Sequence, residues 1–359
     1  MASEIVLPAH IHFGSIEQFS GFQKELKKYY SDYLDEETGV IVKGKTIPDT
    51  FHLRGSVKLH GSHADIVRSP VDQICVQSRN RILTVENDNA GFAKFWQDIP
   101  DQDKNHLISS VKDIYESKYN DALAEHIMIS GEWCGGNIQA GVALCKLPKM
   151  FVIYKIKINH VWQDFVDYRE ISCPEYNIYN IYRAPAIELE MTYDQLMAIT
   201  DVKDSVLGQF TAAADKECPY GKSFGVSGVG EGYVWEVLEM CQSSRFWFKV
   251  KGDEHTVTKV KPVKAMSDVD REAMQNIKKY VLLAVAPARL EQGIDYLKEM
   301  QIDLIKKNVS QFIQWIVTDT LKEEKDNILE LGLDNKLLTK EISNYAKSWY
   351  MTRTRMICN

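Results

Sequence analysis

Apolar residues recur at helical spacing from about Ile16 to Tyr33, where Phe19, Phe22, Leu26, Tyr29 and Tyr33 fall near one face. From Leu53 to Lys264 the texture changes to short apolar or alternating runs separated by turn residues. These predict strands over Gly55–Leu59, Ala64–Val67, Gln73–Val76, Met150–Ile158, Gly232–Val237 and Arg245–Val250. One helix, Asp103–Ala124, is expected between two of them. Beyond Ser267 the period is helical again, with amphipathic helices expected over Ser267–Ala286, Pro287–Met300, Leu304–Leu331 and Asn335–Met356. Ser267 or Asp268 suits an N-cap and Pro287 the first turn of a new helix. The boundary is placed at Pro262–Asp268, giving an α+β domain over 1–263 and an all-helical domain over 264–359. Neither an internal repeat nor a low-complexity tract is present.

At 359 residues the chain is long enough for two domains and a sizeable core. Its 45% apolar and 26% charged residues are those of an ordinary globular protein. The net charge of −7 excludes a surface that is basic all over, so any nucleic-acid contact has to be a local basic strip. Seven cysteines, odd in number and never in C-x-x-C, give neither a disulfide framework nor a zinc site and point to a reducing compartment. Met1 to Gly14 lacks the features of a secretory signal, and no run reaches the ~20 apolar residues of a membrane span. A soluble cytoplasmic protein with no membrane partner is expected.

Candidate chemistry gathers around Lys58-Leu-His-Gly61. Lys58 closes a strand before a turn, which puts an amine at the mouth of a sheet. To attack phosphorus it has to lose its proton, helped by partial burial or a neighbouring cation. Lys249 and Lys251 alternate on one strand face and can neutralise a phosphate; alone, such a pair is usually solvated. Glu132 is expected to project from a strand end into a glycine-rich turn, and Glu231 sits among Gly228, Gly230 and Gly232. Carboxylates there suit a ribose hydroxyl or a divalent metal, although either glutamate alone reads equally well as an exposed turn residue. The three glycines are not a dinucleotide loop, because a strand follows and the G-x-G-x-x-G spacing is absent. Tyr154 can stack on a purine or serve as a core tyrosine. Arg79 offers a planar fork to phosphate or ribose oxygens. His60 and His63 read as polar support in the Lys58 loop, and His10 and His12 as surface residues without an evident partner.

Taken in order, Lys58-Leu-His-Gly, Gln77-Ser-Arg, Gly131-Glu132, Phe151-Val-Ile-Tyr154, Glu231-Gly-Tyr-Val and Lys249-Val-Lys251 resemble motifs I, Ia, III, IIIa, IV and V of the covalent nucleotidyltransferases. The nearest likeness is to the phage RNA ligase 2 and RNA-editing ligase branch, and it covers about residues 53–252. Two positions depart from that branch: Ser62-His63 replaces Thr-Asn, and Lys155 stands where relatives often carry aspartate. The resemblance implies an ATP-grasp-like ligase domain of antiparallel sheets with flanking helices, followed by a helical domain that docks RNA ends. It implies an ATP-dependent RNA ligase in which Lys58 takes AMP, with His60 and Gly61 beside it. Arg79 and Glu132 would hold ribose and phosphates, Tyr154 would stack on adenine, and Glu231 would bind Mg²⁺ (or Mn²⁺). Lys249 and Lys251 would contact the α-phosphate. The implied partners are RNA ends in a nicked duplex or structured RNA, met by a monomer that could be phage-encoded. A DNA ligase or a GTP-using capping enzyme is the alternative within enzymes, and a catalytically silent nucleic-acid-binding protein the alternative outside them.

Overall fold

The computed structural model describes residues 10–34, 41–120, 122–136, 138–139, 141–252 and 270–357. It divides into two compact units, Met1–Gly252 and Asp253–Asn359. The boundary expected at Pro262–Asp268 and the N-cap expected at Ser267 or Asp268 lie outside the described residues.

The first unit is built on two sheets. One runs β1 (Glu17–Gln18), β14 (Trp247–Lys251), β13 (Gly232–Val237), β4 (Phe51–Val57) and β12 (Ile187–Met191). The other runs β10 (Val161–Trp162), β9 (Met150–Ile158), β8 (Ile127–Cys134), β5 (Ser62–Arg68), β6 (Ile74–Ser78) and β7 (Ile82–Leu83), with β11 (Ile178–Asn180) added to β9. Pairing is antiparallel except for β1 with β14 and β11 with β9. A two-stranded ribbon, β2 (Tyr33–Leu34) with β3 (Ile41–Val42), stands apart. The central strands β8 and β9 are buried along almost their whole length, which is why they read as continuous apolar runs. β12 alternates half-buried and exposed, as an edge strand with one solvated face does.

Helices cover the sheets. Phe19–Tyr30 buries Phe19, Phe22 and Leu26, and Phe22 stacks on Phe248 of β14 with ring centroids 4.5 Å apart. It is shorter than the apolar spacing predicts, because Glu17 and Gln18 pair with β14 instead. Asp101–Lys118 ends before the expected Ala124, where Asn120 takes a positive φ.

In the second unit, described by itself, helices Asp270–Ala284, Pro287–Glu299, Val309–Glu323, Lys325–Glu330 and Asn335–Ile357 enclose a core that includes Leu290, Phe312, Ile316 and Tyr350. Pro287 opens its helix as expected. The single helix expected over Leu304–Leu331 is divided at Glu324. The Glu324 carboxylate is buried against Arg289 (3.3 Å) and the Tyr280 hydroxyl (3.3 Å), while Asp319 takes Arg289 Nε at 3.0 Å. No helix among the described residues is long and apolar enough to cross a membrane.

Candidate active site

Lys58 follows the last residue of β4, and its backbone N–H donates to the Gly232 carbonyl at 2.8 Å. Glu231, just before β13, accepts from the Gly252 N–H at 3.0 Å through its own carbonyl. The ends of β4, β13 and β14 are thus tied at one point of the sheet. Gly232 has φ +132°, and a Cβ there would stand 2.2 Å from the Val250 carbonyl. Only glycine allows the chain to turn from Glu231 into β13 at that spacing.

Three basic side chains converge on Glu231. Lys58 Nζ is 2.7 Å from one carboxylate oxygen, His60 Nδ1 is 3.3 Å from the same oxygen, and Lys251 Nζ is 3.3 Å from the other. Glu231 itself is 3% exposed. Burial acts to raise its pKa, but Lys58 and Lys251, with His60, outweigh it and hold the carboxyl well below the usual range. Glu132 lies inside β8 rather than in a turn, and its carboxylate accepts the Gly61 N–H at 2.9 Å. A side chain at residue 61 would strike the Trp133 carbonyl at 2.4 Å, so glycine is what permits this approach. Burial raises the Glu132 pKa, opposed by Lys58 and His63.

Directly opposed residues of antiparallel strands share a face. On one sheet Trp247, Glu236 and Arg54 form a row, and Lys249, Val234 and Ser56 form the next. On the other sheet Gln77, Asp65, Ser130 and Lys155 form a row, beside one made of His63, Glu132 and Val152. Ser130 pairs with Lys155 and Gly131 with Ile153, so Tyr154 is the extra residue of a β-bulge. Such bulges re-aim side chains. The Tyr154 hydroxyl lies 2.6 Å from His63 Nδ1, and His63 Nε2 lies 2.9 Å from Asp65. Gln77 donates to Asp65 at 2.8 Å and clamps the Ile11 backbone. The two sheets meet where Lys155 pairs with Glu236, with its ammonium 4.7 Å from the Trp247 ring centre.

The structure therefore brings Lys58, His60, Gly61, Glu132, Glu231 and Lys251 together, with Lys249 on the same strand face as Lys251. Tyr154 lies alongside through His63. Arg79 is exposed and donates to the Gly14 carbonyl at 3.0 Å instead of meeting the carboxylates. His10, read as unpartnered, lies 3.1 Å from the Ser78 carbonyl. Sequence reasoning missed Asp65, and it noted Lys155 only as a departure from relatives, without its pairing to Glu236 and, beyond it, Arg54. His63 and Asp65, two apart on a strand, carried a signal for the first; nothing local marks the second, which joins strands far apart in sequence.

A family model described as RNA ligase matches residues 52–251, the stretch that carries these strands and every one of the converging groups. The chain belongs to the RNA ligase family. Among solved structures it is similar to Naegleria gruberi RNA ligase with PPi (18% identity, TM-score 0.39). It is also similar to two variants of that ligase bound to ATP and Mn (17% and 16% identity, TM-scores 0.38 and 0.41). Each alignment covers 69% of this chain and 58% of the other, so the chain spans less than two thirds of their length. No curated protein matches it.

Proposed function

We propose that this protein is an ATP-dependent RNA ligase of the phage RNA ligase 2 and RNA-editing ligase type. The observation that carries the reading is the convergence of Lys58, His60 and Lys251 on the buried Glu231, inside the span that matches the RNA ligase family. In the first step Lys58 Nζ forms a bond to the α-phosphorus of ATP as the α–β bridging P–O bond breaks and pyrophosphate leaves. AMP then passes to an RNA 5′-phosphate, and a 3′-hydroxyl displaces it to close the phosphodiester. Lys249 and Lys251 neutralise the α-phosphate, Tyr154 carries the base, and Glu132 with Arg79 serves ribose and phosphate. In that assignment Arg79 exchanges its Gly14 partner for the nucleotide. Such preorganised charge is the chief means of catalysis for phosphoryl-type transfer.

Among the described residues no group of three His, Cys, Asp or Glu side chains gathers as a metal cage. One carboxylate plus substrate phosphates is a donor set that suits Mg²⁺, and Mn²⁺ can replace it. Glu231 fits that role, and the cation would offset phosphate charge. The unit from Asp253 onward docks the RNA end, and the protein acts as a monomer in a reducing cytoplasm. The test is sealing of 5′-phosphate and 3′-hydroxyl RNA ends with ATP, in nicked duplex and single strand, against DNA ends and GTP. Joined RNA with ATP supports the reading; sealing of DNA alone, or capping with GTP, overturns it.

A further inference from the structure

A chain with a net charge of −7 can meet nucleic acid only through a local basic strip, and one stands on the loop that leads into Glu231. Loop 223–230 is pinned near its end. The Gly228 carbonyl accepts from the Cys218 N–H and the Val229 carbonyl from the Ala143 N–H, each at 2.8 Å, and the Gly230 N–H donates to the Ala214 carbonyl at 2.9 Å. Two exposed cations are anchored to carbonyls of this loop: Arg183 donates to Ser223 at 3.0 Å and Lys146 to Ser227 at 2.9 Å. The anchors are four residues apart, a span of at most about 14 Å.

Arg183 is held more firmly than an ordinary surface arginine. Its guanidinium lies 4.0 Å from the Phe224 ring centre and 5.6 Å from that of Tyr179, and those two rings meet edge to face at 4.9 Å. Tyr179 of β11 opposes Val152 of β9, which in turn opposes Glu132 of β8. Tyr179 therefore shares the face of Glu132, two strand spacings or about 10 Å away. Among the described residues no carboxylate forms an ion pair with Arg183 or Lys146. Glu217, which accepts from the Ser227 hydroxyl at 3.4 Å, is taken by Lys222 at 2.7 Å. Cations held in place by carbonyls and rings, and left without an acid, keep their charge for a ligand. A planar fork beside a point charge suits phosphodiester oxygens. We infer that Arg183 and Lys146 form a phosphate-binding strip for the RNA strand whose end is brought to Lys58. This rests on the ligase reading, which supplies the polyanion, and gives the first unit an RNA contact of its own.

The test uses the full chain with Arg183→Gln, Lys146→Gln and both together. It reads covalent adduct formation with ATP, and binding of a short 5′-phosphorylated RNA over a range of salt. Adduct formation should match the unmodified protein, because neither cation serves ATP. Each single variant should bind the RNA about tenfold more weakly, the worth of one charge-assisted hydrogen bond, and by the same factor for every sequence tried. The slope of log affinity against log salt should flatten by about 0.7 in each single variant and about 1.4 in the double. Arg183→Lys, which keeps the charge, should restore the slope. An unchanged slope in the double variant overturns the proposal. So does a loss of adduct formation, which would put the two cations on ATP or in the support of the fold. No adduct from the unmodified protein would instead sink the ligase reading, and this proposal with it.

Discussion

Replacing Glu231 by glutamine removes one charge, and the structure sets the scale of the effect. Glu231 is buried beneath Lys58, Lys251 and His60, so the variant leaves two lysines facing a neutral amide. Removing one member of a buried ion pair costs about 3–5 kcal/mol. The lysine side chains are 21% and 18% exposed and can partly rehydrate. That lowers the expected loss to about 2–3 kcal/mol, or about 5–10 °C in melting temperature for a unit of this size. The sign with pH follows from the depressed pKa of Glu231. A carboxyl held below its ordinary value contributes stability that is complete above that value and disappears as pH falls through the folded one. The gap between wild type and Glu231→Gln should therefore be full at pH 7 and shrink below about 4.5, the ordinary value. Thermal melts monitored by circular dichroism across pH measure it. Equal melting temperatures at pH 7, or a gap that widens on acidification, would refute the electrostatic account.

Glu132→Gln should behave in the opposite sense. Burial holds the Glu132 pKa up, so its ionised form costs stability as pH rises through the folded value. Glutamine can still accept the Gly61 N–H, and the variant should melt at or above wild type at pH 7, with the gain vanishing in acid. Its adduct formation should nonetheless fall about 10²-fold; a clear loss of melting temperature would contradict this. In the second unit Arg289→Leu strands the buried Glu324, and denaturant melts should show a loss of about 3–5 kcal/mol. Little change would mean that Asp319 and Glu324 rehydrate freely. A fragment ending near Val263 should keep adduct formation but lose most use of 5′-phosphate RNA ends, and sealing by the whole chain should be more salt-sensitive than its reaction with ATP. Full sealing by the fragment would remove RNA docking from the second unit.

The strands that carry the site were legible because each buries one face or both. Met150–Ile158 and Gly232–Val237 have the bounds expected from their apolar runs. Edge elements were not: β1 and β12 gain their pairing from strands distant in sequence, and the remaining two-residue strands are too short to show a period of their own. Within the site, Lys58, Glu231 and Lys251 could be picked out by order along the chain, but their meeting at one carboxylate depends on the register of three strands. The bulge at Tyr154 is invisible in composition, because it arises from a mismatch between β8 and β9. The Lys155–Glu236–Arg54 chain likewise crosses two sheets; Lys155 stood out only against relatives, and Glu236 and Arg54 alone look like ordinary solvated charges. Glu132 was placed in a turn because of the glycines that follow, whereas pairing with His63 and Val152 keeps it in the ladder.

The central claim is that Lys58 carries AMP. Incubating the full chain with ATP and Mg²⁺, denaturing it, and mapping the modified peptide by mass spectrometry tests this directly. The account predicts one AMP on the peptide that contains Lys58, absent from Lys58→Ala, while that variant still seals RNA already bearing a 5′-adenylate. An adduct on another residue, or one that persists in Lys58→Ala, would contradict it.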